Sequence, residues 1–134
     1  MYKLSVRDHF DSAHHLRDYS GKCSRLHGHR WTVEVCVEGE TLDNLNMLVD
    51  FSYIKGKLAT LLREVLDHYD LNEKLHEDNP TAEFLARWVW QKILYPGLPG
   101  IKLSKVTIWE SPDCSVEYKE GYQPKVKCLN CGII

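Results

Sequence analysis

Residues 22–37 read KCSRLHGHRWTVEVCV. The second half alternates, with Trp31, Val33, Val35 and Val37 on one side and Thr32, Glu34 and Cys36 on the other. A period of two marks a β-strand with one buried face. The first half carries a cysteine, two histidines around a glycine, and the cations Lys22, Arg25 and Arg30. That is more chemistry than a hairpin arm needs for its own stability. His27 and His29, two residues apart where the strand begins, project to the same face. Gly28 between them leaves room for close approach of backbone or ligand.

Working outward, residues 2–10 alternate in the same way, with Tyr2, Leu4 and Val6 against polar neighbours. Gly39 to Asn46 is a turn-rich link. From Phe51 to Leu66 the apolar residues Ile54, Leu58, Leu61, Leu62, Val65 and Leu66 fall at helical spacing, and Gly56 is a mild cost within that helix. A second helix is predicted from Asn79, Pro80 and Thr81, a capping side chain beside a first-turn proline, and it stops before Pro96-Gly97. Strands follow at 103–109 and 115–119. The order ββααββ predicts an α+β domain, a four-stranded antiparallel sheet with two helices on one face. It forms a single domain over 1–134 with 120–134 as a tail. The uncovered sheet face and outer strands predict self-association.

With 134 residues, 43% hydrophobic and 27% charged, the chain has room for one real core. A formal net charge of −2 gives no basis for nucleic-acid binding. No apolar run is long enough to span a membrane, and MYKLSVRDHF lacks the apolar core of a signal peptide. Five cysteines, an odd number, do not form a secreted disulfide framework. A reducing cytoplasm is the expected compartment.

His14, at the end of the first strand, can be brought opposite the 27/29 pair by a hairpin. Three neutral imidazoles and a vacant fourth position describe a catalytic zinc site. On spacing alone, a plain surface pair of histidines weighs about as much. His14-His15 adds an ambiguity, because strand neighbours face opposite ways. Cys23 lies just before the metal pair, where nearby cations lower a thiol's pKa and suit it to proton transfer. Taken without its context, a ligand to some other metal or an idle thiol is the better reading of Cys23. In LDHYDLN, residues 66–72, Asp67 beside His68 can hold an imidazole in one tautomer. Glu110, in VTIWES, has a carboxylate able to accept two parallel N–H bonds. Each of the last two has an ordinary reading as solvated ends of elements.

Together FDSAHH, CSRLHGH, LDHYDLN, NPTAEFLARWVW and VTIWES, in this order, resemble the 6-pyruvoyltetrahydropterin synthase superfamily over about residues 2–119. The similarity is greatest to its 6-carboxy-5,6,7,8-tetrahydropterin synthase branch, which serves queuosine biosynthesis. The resemblance implies the tunnelling fold, usually assembled as a homohexamer. It implies Zn²⁺ on His14, His27 and His29, the F-x-x-A-H motif selecting His14 over His15. It further implies catalytic roles for Cys23, Asp67 and His68, a pterin anchor at Glu110, and contact with the pterin edge at Thr81 or its neighbours. The implied reaction is a carbon–carbon lyase step on 7,8-dihydroneopterin triphosphate, with Lys22 or Arg25 as partners for the triphosphate. The alternatives are the 6-pyruvoyl branch, which eliminates triphosphate, and a non-catalytic zinc protein using Cys128 and Cys131.

Overall fold

The computed structural model describes residues 1–94 and 97–121, together with the backbone of Lys127–Cys128 and Gly132–Ile133. Its elements run β1 (Tyr2–His14), β2 (His27–Gly39), α1 (Phe51–Leu61), α2 (Leu71–Lys74), α3 (Ala82–Ile93), β3 (Lys102–Ser111) and β4 (Cys114–Tyr118). The two-residue strands β5 (Lys127–Cys128) and β6 (Gly132–Ile133) pair with each other. The main sheet is antiparallel in the order β1-β2-β3-β4. The ββααββ expectation holds, with α2 as an addition. Of the tail cysteine pair, Cys128 is described through its backbone alone and Cys131 lies outside the described residues.

Alternation places one side of each strand in the core. Phe10, Trp31, Val33, Val106 and Ile108 are fully buried there. Helices α1 and α3 cover this face with Ile54, Leu58, Leu85, Ala86 and Val89. α1 lies over β1, and α3 lies over β3 and β4. Each large buried side chain contributes on the order of 1.5–3 kcal/mol. The opposite sheet face is polar and stitched by ion pairs, Glu34 taking Arg7 at 2.7 Å and Lys105 at 3.5 Å. No described helix is long and apolar enough to cross a membrane.

Both first strands run beyond their alternating stretches, β1 reaching His14 and β2 starting at His27, as expected from the placing of these histidines at strand ends. Pairing continues where the hydrophobic signal stops, because the inward positions there are Ser12, His14, His27 and His29. The helix expected over 51–66 is continuous, but Leu62–Leu66 widens into a π turn. That turn ends when Asp67 N–H donates to Leu62 O at 2.7 Å, and it delivers the following residues to the edge of β1. At α3 the capping residue is Thr81, whose Oγ1 accepts from Phe84 N–H at 3.2 Å. Pro80 therefore precedes the helix instead of opening its first turn, leaving its carbonyl for another use.

Candidate active site

The β1–β2 register sets His14 opposite His27 and Ser12 opposite His29. All three histidines lie on the inward face, so they prolong the core stripe beyond the edge of the helices. Trp31 is the floor of the cluster. It is fully buried, stacks on Phe10 at 5.9 Å, and meets His14 and His29 edge-on at 4.8 and 5.2 Å. Its indole N–H donates to Ser12 O at 3.2 Å, which fixes the ring.

One ligand atom from each of His14, His27 and His29 lies within 4.8 Å of the others. His14 Nδ1 is 2.9 Å from Pro80 O, and His27 Nδ1 is 2.7 Å from Arg25 O. A carbonyl only accepts, so both rings carry their proton on Nδ1 and turn an Nε2 lone pair inward. The Nε2 atoms of all three rings are buried without a hydrogen-bond partner. Buried polar atoms are rarely left unpaired, and three convergent imidazole lone pairs form the donor set of a divalent metal such as zinc. Burial holds His14 and His29 below the ordinary imidazole pKa, against the opposing pull of Pro80 O on His14 and of Glu110 on His29. Lone pairs on those rings therefore persist to lower pH.

Glu110, the last residue but one of β3, reaches the same cluster. Its Oε1 lies 3.4 Å from His29 Nε2, within ion-pair range but not aligned as a hydrogen bond. His15 faces elsewhere, and only its backbone N–H and C=O are used. A Cβ at Gly28 would meet nothing within 4 Å, so no described backbone makes a close approach there. The room it leaves is not used by this chain's described atoms.

Asp67 and His68 do face each other, with Nδ1 and Oδ2 2.9 Å apart. Backbone geometry brings this about. His68 takes a positive φ of 61°, an uncommon conformation outside glycine. Its N–H donates to Asp11 O at 2.6 Å, and Ala13 N–H donates to Tyr69 O at 3.0 Å. Asp67 Oδ1 accepts from Asp11 N–H at 2.9 Å. That bond, with His68 beside it, holds the Asp67 carboxyl below its ordinary pKa. Residues 67–70 thus cover the free edge of β1 just before His14. The His68 ring itself is exposed.

Cys23 sits half-buried in the short 3-10 turn Lys22–Ser24, and its carbonyl accepts from Leu16 N–H at 2.9 Å. This closes the loop between His14 and His27. Its thiol is not among the clustered ligand atoms. Lys22 and Arg25 are exposed on the same loop. Thr81 Oγ1 is engaged in capping α3. A cavity of about 680 Å³ lies at the opposite end of the sheet, around Glu38–Asp43 and Pro99–Lys102, and contains none of these residues.

Sequence reasoning missed the groups that aim the histidines. They are the Pro80 and Arg25 carbonyls, Ser12, which donates to Leu66 O and accepts from Tyr69 N–H at 3.1 Å, and buried Asn72. Backbone carbonyls leave no trace in residue identity. Asn72 was visible only as the last letter of LDHYDLN.

An α+β sheet prolonged into a three-histidine cluster, beside an aspartate–histidine pair, defines a tunnelling-fold protein with a candidate metal centre. The 6-pyruvoyl tetrahydropterin synthase family model matches residues 3–121. The chain belongs to that family and is an enzyme of it. It is 37% identical over 124 residues to a 6-carboxy-5,6,7,8-tetrahydropterin synthase of Synechocystis sp., covering 90% of this chain and 92% of that one. A dihydroneopterin monophosphate aldolase of Pyrococcus furiosus is 35% identical over 116 residues, covering 86% and 95%. The solved 6-pyruvoyl tetrahydropterin synthase of Caenorhabditis elegans superposes with a TM-score of 0.77 at 27% identity, covering 88% and 94%. The expectation of a lyase of the 6-carboxy-5,6,7,8-tetrahydropterin synthase kind agrees with these relatives.

Proposed function

We propose that the chain is a zinc-dependent lyase converting 7,8-dihydroneopterin triphosphate to 6-carboxy-5,6,7,8-tetrahydropterin, acetaldehyde and triphosphate, in the route to queuosine. The observation that carries this reading is the set of three buried Nε2 atoms of His14, His27 and His29, none of which has a hydrogen-bond partner. The Synechocystis relative supplies the reaction branch.

Zinc held by those three nitrogens supplies Lewis-acid polarisation of the substrate's side-chain oxygens. Cys23, as thiolate, removes a proton from the side-chain carbons. His68, its tautomer fixed by Asp67, transfers a proton at the opposite face. Its exposure in a single chain fits a site completed where subunits meet, in a homohexamer. Glu110 accepts N3–H and the 2-amino group of the pterin with its two carboxylate oxygens. Thr81, the residue after Pro80, whose carbonyl meets His14, contacts the pterin edge. Lys22 and Arg25, exposed on the loop with Cys23, take the triphosphate. The chain acts as one domain over 1–134, with 120–134 as a tail, in the cytoplasm.

Incubating the zinc-loaded protein with 7,8-dihydroneopterin triphosphate tests this. Acetaldehyde with 6-carboxytetrahydropterin is the expected outcome. A 6-pyruvoyl product without acetaldehyde moves the chain to the other branch. No turnover by zinc-loaded protein overturns the assignment, and the monophosphate run alongside checks the aldolase relative's reading.

A further inference from the structure

We propose that Asn72 is a positioning residue for His14, acting on the metal centre without touching it. The inference rests on the reading of His14 as a metal ligand. Asn72 is 7% exposed and lies at the start of α2. Its Oδ1 accepts from His15 N–H at 3.0 Å, and its Nδ2 donates to His15 O at 2.9 Å and to Asp78 O at 2.9 Å. The carboxamide therefore pairs with His15 as a neighbouring strand would, at the point where β1 ends. The opposite amide orientation would set a donor against an N–H and an oxygen against two carbonyls, so the assignment is unambiguous.

Those bonds grip His14 from two directions. His15 is the next residue, so the first two fix the main chain that carries the His14 ring. Asp78 belongs to the loop that ends in Pro80, whose carbonyl sits 2.9 Å from His14 Nδ1 and sets its tautomer. One side chain thus ties the backbone of the ligand to the loop that orients its ring. Asn72 is itself held from α2, its N–H on Asp70 Oδ1 at 3.1 Å and its carbonyl receiving Glu77 N–H at 3.1 Å. His27 needs no such device, because Arg25 O, two residues away, sets its ring locally. The two loops are joined a second time by Arg17, through Asn79 Oδ1 at 2.7 Å and Asp78 at 2.9 Å. Removing Asn72 should therefore loosen His14 rather than detach the loop.

The test is the zinc dissociation constant of metal-free protein, measured by chelator competition, for wild type, Asn72→Ala and Asn72→Asp. The aspartate variant keeps size and the acceptor for His15 N–H, but sets an oxygen against two carbonyls; it serves as second variant if the alanine folds poorly. Affinity is expected to fall about 10–100-fold in each, the scale for removing a group that orients a ligand. In a His14→Ala background, whose weak residual binding by two histidines is read by direct zinc titration, Asn72→Ala should change affinity less than twofold, because the route of its action is gone. Ile93→Val, a destabilising change in the distant core, should leave affinity unaltered. A wild type that binds no zinc overturns the reading of the centre itself. A wild type that binds zinc with Asn72 variants within threefold of it overturns this inference alone. An equal loss with and without His14 also overturns it, because Asn72 would then support the fold generally.

Discussion

Replacing Asp67 by asparagine changes one oxygen to an NH₂ and nothing in shape, yet its two partners are both donors. Asp11 N–H reaches Oδ1 at 2.9 Å, and His68 Nδ1 stands 2.9 Å from Oδ2. Asparagine has one acceptor atom, and the backbone N–H of Asp11 has no alternative proton arrangement. The carbonyl oxygen therefore stays on Asp11, and the NH₂ faces His68 Nδ1. That nitrogen must now accept, so the ring moves its proton to Nε2, the tautomer opposite to the one the carboxylate enforces. Folding changes little, by on the order of 1 kcal/mol for one weakened hydrogen bond. The rate should fall much further, roughly 10²–10⁴-fold, the range for losing a correctly protonated general acid or base. Steady-state turnover of 7,8-dihydroneopterin triphosphate measures this, with zinc content and melting temperature as controls. His68→Ala should lose a similar factor, and the double variant should be no worse than either single one. Near-normal turnover by Asp67→Asn while His68→Ala fails would refute the orienting role. Equal loss accompanied by a fall in zinc content would place the pair in support of the metal centre instead.

His27→Ala or His29→Ala should lose bound zinc and activity, while His15→Ala keeps both; zinc loss in His15→Ala alone refutes the ligand set. Cys23→Ala, which truncates a free, half-buried thiol on a loop, should fold, bind one zinc per chain and turn over at least about a hundredfold more slowly. Glu110→Gln should weaken binding of a pterin analogue by roughly 10–100-fold, corresponding to about 1–3 kcal/mol; an unchanged affinity in titration means that the ring is read elsewhere. For metal-free protein, the lowered values of His14 and His29 mean that the unfolded chain takes up protons first as pH falls below about 6.5. Stability present above that pH is therefore lost below it, and the melting temperature should drop between pH 7.5 and 5.5. A His14→Ala variant should show a shallower drop, and an unchanged slope would remove these histidines as the cause.

The sequence by itself determined the ββααββ order, because period two and helical spacing are local properties of side chains on a pleat or a helix. It also determined the chemistry-bearing residues, since imidazole, thiol and carboxylate are legible one residue at a time. Five short motifs in a fixed order carried the family. Alternating polarity alone could not show how far β1 and β2 run toward their connecting loop, because their inward positions there are polar. Only the tertiary structure decided that His14 and His27 stand opposite, since that depends on the register over the whole hairpin. Only it settled that Asp67 faces His68, through a π turn and a left-handed backbone held by bonds to Asp11. Neighbours in sequence have no such obligation. The aiming of the cluster lies in Pro80 O, Arg25 O and the carboxamide of Asn72. Two of those are main-chain atoms that every residue possesses, so only their positions in the folded chain distinguish them.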